Sequence, residues 1–344
     1  MSLCSRCVMP EVNPHITLDS VGICNLCRNH DEEAQKKEND RKLLETDLLN
    51  ILRKNKGKGK YDCLAMCSGG KDSTASLYYM VTRYKLRTLA FTFDHGFETN
   101  EALDNINRAV DNLGIDFLYF KTNYMKKFFS KMQEYQSKAV ICHPCSMWYM
   151  DLTYDMAARF DIPLIVAGWT KGQSTTSTPN IMSKCACSAK ELEFKNMAGH
   201  TQEFIKKLKQ DPETPQFKDF PESMEEVLAR AKKKGQATVI SPHWFLPFEE
   251  EVYVAEIKKE LGWEQPKLSY PAKSTNCELN FLSVHNALKH YGYTHYHVEF
   301  SKMIRKGLMT REEALKRLDF SQYKEGYMQE LRDRVDEKRK QKVG

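Results

Sequence analysis

Apolar positions follow two different periods through the middle of this chain. Short apolar runs at 63–67, 88–93, 117–120 and 164–167 predict strands, and stretches with apolar residues three to four apart predict helices over 73–84, 98–113, 124–136 and 146–160. Such alternation implies an α/β fold, with a parallel sheet covered by helices on both faces and ligands held beyond the carboxyl ends of the strands. It occupies 61–282. Ahead of it, 31–60 is a charged connector with Leu43, Leu44, Leu48, Leu49 and Leu52 at helical spacing, closing in Lys56-Gly57-Lys58-Gly59-Lys60. The rhythm breaks over about 173–241, where polar stretches at 174–178 and 211–221 flank a helix at 223–234. This reads as an insertion, either mobile and facing substrate or plain surface. The chain returns to the core from Pro242 to Pro271. A helical tail follows over 283–344, with Thr310-Arg311-Glu312-Glu313 as a helix-start capping box and a basic end that frays.

Charge adds little discrimination. At +6 over 344 residues the chain suits anionic substrates such as ATP, a nucleotide sugar or RNA without choosing among them. It has no run of about 18 apolar residues and no signal-peptide pattern, so a cytoplasmic protein without membrane contact is expected. Cysteine usage changes the picture more, because the eleven cysteines fall largely in close pairs, which favours metal over disulfides. Cys4-x2-Cys7 and Cys24-x2-Cys27, sixteen residues apart, fit four thiolates around one tetrahedral Zn(II) with no open position. A ribbon over 1–30 has almost no core, so the metal would supply most of its folding free energy.

The sharpest chemical signal is Ser68-Gly69-Gly70-Lys71-Asp72-Ser73, placed where the first strand turns into the first helix. Glycines there let the backbone turn tightly, and the helix N-terminus turns its N–H groups and partial positive charge toward an anion. The GxxxxGK[ST] P-loop is absent. The string resembles the PP-loop of ATP pyrophosphatases, which cleave ATP between the alpha and beta phosphates as a substrate oxygen attacks the alpha phosphorus. That resemblance implies that Ser68, Gly69, Gly70 and Ser73 hold the pyrophosphate portion. It also implies that Lys71 offsets its charge and Asp72 orients the loop or a Mg(II). Asp94, at the tip of the second strand, would lie beside the adenosine or merely form a turn. Gly168, ending another strand, would allow close approach to the nucleotide. The Thr170-Lys171-Gly172-Gln173 that follows lacks the acidic residues related enzymes often carry there.

The stretches Cys4-Ser5-Arg6-Cys7-Val8-Met9-Pro10-Glu11, Ile16-Thr17-Leu18-Asp19 and Gly22-Ile23-Cys24-Asn25-Leu26-Cys27 resemble the N-acetyl sugar amidotransferase family, and so does the tail at 304–314. The resemblance implies conversion of a sugar acetamido group into an acetamidino group, with AMP and pyrophosphate as products and ammonia from a glutaminase partner. The setting would be biosynthesis of surface polysaccharide or flagellin sugars. The middle of the chain departs from it. Cys142-His143-Pro144-Cys145, ahead of a helix, resembles the PP-loop tRNA thiolation enzymes, in which a CxxC and a distant cysteine hold a [4Fe–4S] cluster. Cys277 is the candidate third ligand, and three thiolates leave one iron open. A second zinc site with Cys185, Cys187, His143 or His243, a redox dithiol, and an idle reduced pair are the competing readings. Sulfur transfer to tRNA or a small molecule is therefore the alternative to amidotransfer. His285, His290, His295 and His297 crowd the tail among tyrosines and read as packing.

Overall fold

The computed structural model of the protein describes residues 2–36, 44–173, 192–235, 237–247, 249–271 and 276–336. Among them, five strands form one sheet in the order β3-β2-β1-β4-β5. They are β1 (Cys63–Met66), β2 (Thr88–Asp94), β3 (Asp116–Lys121), β4 (Leu164–Val166) and β5 (Thr238–Ile240), and every neighbouring pair runs parallel. Central strands β1, β2 and β4 are buried throughout, whereas the β3 edge is largely exposed. Alternate side chains enter opposite cores, as the two-residue strand period requires. Leu64, Met66, Leu89, Phe91 and Ile165 pack on one face, and Cys63, Ala65, Ala90, Leu164 and Val166 on the other. Strand order reverses between β1 and β4. Their carboxyl ends therefore flank the crevice in which open α/β sheets hold ligands.

Fourteen α-helices are described. The ribbon and connector carry α1 (Asn25–Lys36) and α2 (Glu45–Asn55), and one face of the sheet is covered by α3 (Lys71–Tyr78), α4 (Asn100–Leu113) and α10 (Glu250–Leu261). The other face takes α5 (Tyr124–Glu134), α6 (Cys142–Arg159), α7 (Lys195–Gln210), α8 (Met224–Lys233) and the tail, with short α9 (Pro242–Phe245) following β5. The tail comprises α11 (Leu279–Tyr291), α12 (His295–Arg305), α13 (Arg311–Leu318) and α14 (Glu325–Val335). Thr310 does cap α13, accepting from the Glu313 N–H.

Several boundaries move. β5 lies inside the stretch expected to be an insertion, so that stretch ends as an edge strand of the sheet. Helix α11 starts at Leu279, and a division at 282/283 would cut it. The CxxC does not precede a helix but forms the first turn of α6, because Pro144 sits at an N-terminal position whose missing N–H costs nothing. The first sheet helix begins at Lys71 and its last turn, Tyr79–Arg83, is a π-helix. Only part of the leucine stripe in the connector is buried: Leu48 and Leu52 are, four residues apart, while Leu44 and Leu49 are exposed. The ribbon is not nearly coreless either. Its four cysteines, Met9 and Ile16 share a buried cluster with Val140, Phe194, Met197, Ala287, Tyr293 and Val298. Leu43, Cys185, Cys187, the 174–178 stretch and the basic C-terminal end lie outside the described residues.

Candidate active site

The loop between β1 and α3 is built so that its carbonyls face the protein while the N–H groups at its helix end stay available. Asn276 Nδ2 donates to Ser68 O (2.7 Å), while Trp263 Nε1 (2.9 Å) and Asn105 Nδ2 (3.2 Å) both donate to Gly69 O. Helix α3 opens at Gly70 with no side-chain cap, which leaves the first-turn N–H groups for an anion. Ser73 Oγ donates to Gly70 O (3.2 Å), lies 3.0 Å from Ser68 Oγ and accepts from the Ser68 N–H (3.2 Å), which ties the two ends of the loop together. Gly69 adopts φ +72°, and a Cβ there would stand 2.1 Å from Ala102 O. The sharp turn and the close contact with α4 both require glycine.

This loop forms one wall of a cavity of about 200 Å³. Ser68, Gly70, Asp72 and Ser73 line it beside Ser146, Tyr149 and Met150 of α6, Gly168, Trp169 and Gln173 after β4, and Asn276. Gly168 has a packing reason as well, because a Cβ there would stand 2.4 Å from Ser73 N. Its smallness lets the β4 end touch the start of α3.

Lys71 does not line the cavity. Its ammonium is buried against Asp72 (2.8 Å) and Glu250 (3.4 Å), with Tyr253 Oη at 3.5 Å. Burial disfavours that charge, yet the two carboxylates outweigh it and raise the pKa. The mirror case is Asp72, where burial is outweighed by Lys71 and His243, and the pKa falls. Tyr253 donates to Asp72 Oδ1 (2.6 Å). The site thus holds a Lys–Asp–Glu ion network behind the loop, with Asp72 the carboxylate among the lining residues. Glu299 of α12 stands nearby, accepting from Thr170 Oγ1 (2.8 Å) and Gln173 Nε2 (3.2 Å), its pKa raised by burial. Asp94 is elsewhere. It accepts from the Gly96 N–H (2.6 Å) and from the Tyr119 hydroxyl, forming the turn after β2 and lying outside the cavity lining.

The CxxC and Cys277 do not line this cavity, although Ser146 and Tyr149, which follow the CxxC on α6, and Asn276, which precedes Cys277, do. Burial raises the Cys145 and Cys277 thiols, and each is raised further by the charges of Glu98 and the neighbouring cysteines. Thus Cys142, Cys145 and Cys277 face one region. Two residues there escaped the sequence reading. His95 Nε2 lies 3.7 Å from Cys277 Sγ and 3.3 Å from Glu98 Oε1. Burial pushes His95 down to about 4 and Glu98 up to about 8. The histidines suggested as zinc partners are not with them. His143 is buried against Phe194 with both ring nitrogens unpartnered, and His243 Nε2 meets Asp72 O at 3.0 Å.

At the N-terminus Cys4, Cys7, Cys24 and Cys27 are fully buried, with their sulfurs all within 4.8 Å of one another. Backbone N–H groups of Cys7 and Cys24 donate to Cys4 Sγ (3.4 and 3.2 Å), and that of Met9 to Cys7 Sγ (3.5 Å). Four converging sulfurs with such donors fit one tetrahedral metal ion and leave no coordination position for substrate. Arg311 Nε donates to Cys4 O and Cys7 O, each at 3.1 Å, and Ser301 Oγ accepts from the Val8 N–H (3.2 Å), so the ribbon is clamped to α12 and α13.

Residues 276–341 match the family described as LPS biosynthesis protein WbpG-like, C-terminal domain. The tail stretch 304–314 lies inside the matched segment. An uncharacterized protein of Methanocaldococcus jannaschii is 24% identical over 334 residues, covering 96% of this chain and 98% of its own. Among solved structures, NMN synthetase from Francisella tularensis superposes with a TM-score of 0.39 at 12% identity, over 85% of this chain and 94% of that one. The U34-tRNA thiolase NcsA of Methanococcus maripaludis with its [4Fe-4S] cluster gives 0.35 at 15% identity, over 90% and 86%. The NH3-dependent NAD synthetase of Campylobacter jejuni gives 0.32 at 19% identity, over 57% and 96%.

Proposed function

We propose that this protein is a PP-loop ATP pyrophosphatase that adenylates a carbonyl-type oxygen and replaces it with nitrogen, acting on an N-acetylated nucleotide sugar of polysaccharide biosynthesis. The observation that carries the reading is the loop at 68–73, with its carbonyls tied back, its helix start uncapped and its hydroxyls facing a cavity at the strand-order reversal. The match of 276–341 to a domain of lipopolysaccharide biosynthesis supports the substrate class. In this reading the loop N–H groups and Ser68 and Ser73 hold the pyrophosphate. The substrate oxygen attacks the alpha phosphorus and pyrophosphate leaves. Ammonia, delivered by a glutaminase subunit, then attacks the activated carbon, and AMP departs with the oxygen. Lys71 acts from behind, holding Asp72 in place rather than touching phosphate. Asp72, the lining carboxylate already paired with Lys71, would be the protein's ligand for a Mg(II) bound with ATP, and the phosphates would supply most of the others. The ribbon cysteines would hold a structural Zn(II).

The mutual proximity of Cys142, Cys145 and Cys277 favours a second reading, in which sulfur rather than nitrogen displaces AMP with the help of an iron–sulfur cluster. Pyrophosphate release from ATP, measured with N-acetylated nucleotide sugars plus ammonium and separately with tRNA plus sulfide, tests both. The first reading expects release with the sugar and ammonium, reduced about 10²–10³-fold by Asp72→Asn, with metal content unchanged. Release only with tRNA and sulfide transfers the assignment to sulfur. No release with either acceptor, or full activity of Asp72→Asn, overturns the PP-loop reading.

A further inference from the structure

One buried and two half-buried side chains meet with no part in the ATP chemistry above: His95 and Glu98, from the segment after β2, and Cys277, just before α11. We propose that these three residues hold a single zinc-class divalent cation, a second metal site distinct from the ribbon. The geometry carries the assignment. A tetrahedral Zn(II) bound at the usual lengths separates a sulfur and an imidazole nitrogen by about 3.6 Å, and a nitrogen and a carboxylate oxygen by about 3.3 Å. The structure places His95 Nε2 3.7 Å from Cys277 Sγ and 3.3 Å from Glu98 Oε1, with all three ligand atoms within 4.8 Å of one another.

A cation between the three atoms would engage the Nε2 lone pair, the thiolate and the carboxylate at once. The backbone is also committed to this placement. Glu98 and Cys277 form an antiparallel bridge, flanked by Thr99 N donating to Asn276 O and Glu278 N donating to Phe97 O, each at 2.9 Å. The rings of Phe93, Phe97 and Phe129 close around the imidazole and limit its motion.

A nitrogen, a thiolate and a carboxylate suit zinc rather than the all-oxygen shells of magnesium or calcium. Three protein ligands leave a fourth position for water or another exchangeable ligand, unlike the closed four-sulfur site. Because Asn276 both binds the Ser68 carbonyl and precedes Cys277, the ion would anchor the strap that holds the PP-loop. The site does not depend on the reaction assigned above, but it competes with an iron–sulfur cluster for Cys277.

The test is anaerobic zinc, iron and labile-sulfide analysis of the full chain, purified and then supplied with zinc. Two zinc ions per chain are expected in the wild type. His95→Ala and Cys277→Ser should each retain one, while the Cys142→Ala, Cys145→Ala double variant keeps two. Since a buried histidine can be needed for folding, Glu98→Gln provides the near-isosteric variant. It should stay folded and release its second zinc at least about tenfold more readily to a competing chelator, one factor of ten being 1.4 kcal/mol. A single zinc in the supplied wild type, or two zinc ions held undiminished by all three variants of the trio, overturns the proposal. So do iron and sulfide that vanish in the double variant, a result that would instead support sulfur transfer. Loss of pyrophosphate release leaves these metal counts unaffected, so the two assignments fail separately.

Discussion

Gly168 and Gly199 show how differently one residue type can be constrained. A Cβ on Gly168 would meet Ser73 N at 2.4 Å and Ser73 Cα at 2.5 Å, both backbone atoms of α3. One on Gly199, within α7, meets nothing within 4 Å. Gly168→Ala must therefore push β4 away from α3, at about 1–3 kcal/mol for overpacking, and open the cradle. Gly199→Ala should be neutral or stabilise by about 0.5–1 kcal/mol through helix propensity. Thermal unfolding with and without ATP checks this: Gly168→Ala should lower the melting temperature and blunt ATP protection, and Gly199→Ala should do neither. Equal effects would mean that the β4–α3 contact does not shape the site. The same contrast explains what a sequence discloses of this site. The 68–73 cradle is contiguous, so its residue types announce it. Asn276, Glu250, Tyr253 and Trp263 reach the loop from distant segments, as Glu299 reaches 170–173, and each is an ordinary residue type without a local signature. His95 and Glu98 belong with them, because their partner Cys277 is joined to them only by a tertiary bridge.

At the level of elements, Asp62 does for the start of the sheet what Thr310 does for α13. Nearly fully buried, it accepts from the Gly57 N–H (2.7 Å), the Arg87 N–H (2.9 Å) and the Arg87 guanidinium (2.7 and 3.2 Å), pinning the end of the connector to the start of β2. Burial would raise its pKa, but Arg87 and the two N–H groups outweigh burial and depress it. A carboxylate with a folded-state pKa below its unfolded value of about 3.9 contributes stability that is complete above that value and lost as pH falls through the folded one. Asp62→Asn should accordingly cost about 1–3 kcal/mol near neutral pH for the charged hydrogen bonds removed. Urea titrations of both proteins should show the gap closing as the pH drops below about 4. A gap that persists there would assign the cost to packing instead. The central strands were legible because parallel strands buried on both faces leave continuous apolar runs, as 63–66 and 88–94 do. β5 was not, since three residues at a sheet edge with Thr238 exposed leave too little pattern to separate a strand from a loop. The start of α6 was blurred by Pro144, which ends helices in most positions but is tolerated in their first turn.

Across the whole molecule, α12 connects two places that the sequence presents as separate modules. Ser301 and Arg305 reach the ribbon, at Val8 N (3.2 Å) and Cys7 Sγ (4.0 Å), while Glu299 of the same helix holds Thr170 and Gln173 at the cavity. Arg311 adds two bonds to the carbonyls of Cys4 and Cys7, and Arg317 in the next turns meets Glu250, the carboxylate behind Lys71, at 3.5 Å. An isolated zinc ribbon would unfold on metal loss without consequence elsewhere. Here its buried face is shared with α7, α11 and α12, so the four thiolates support the packing of the tail as well as their own loop. Removing a metal held by the ribbon cysteines with a strong chelator, in a His95→Ala background so that the second proposed ion is not removed at the same time, should lower the melting temperature by about 4 °C, or about 3 kcal/mol for a chain of this size. Hydrogen exchange should then rise in α12 and in the 168–173 segment as well as in 2–28, because the helix loses its clamp on one side and its hold on Glu299 loosens on the other. Exchange confined to 2–28 would show that the ribbon is a passenger on the tail. Exchange spreading to the cavity would make the metal part of what keeps the cavity at the 68–73 loop in shape.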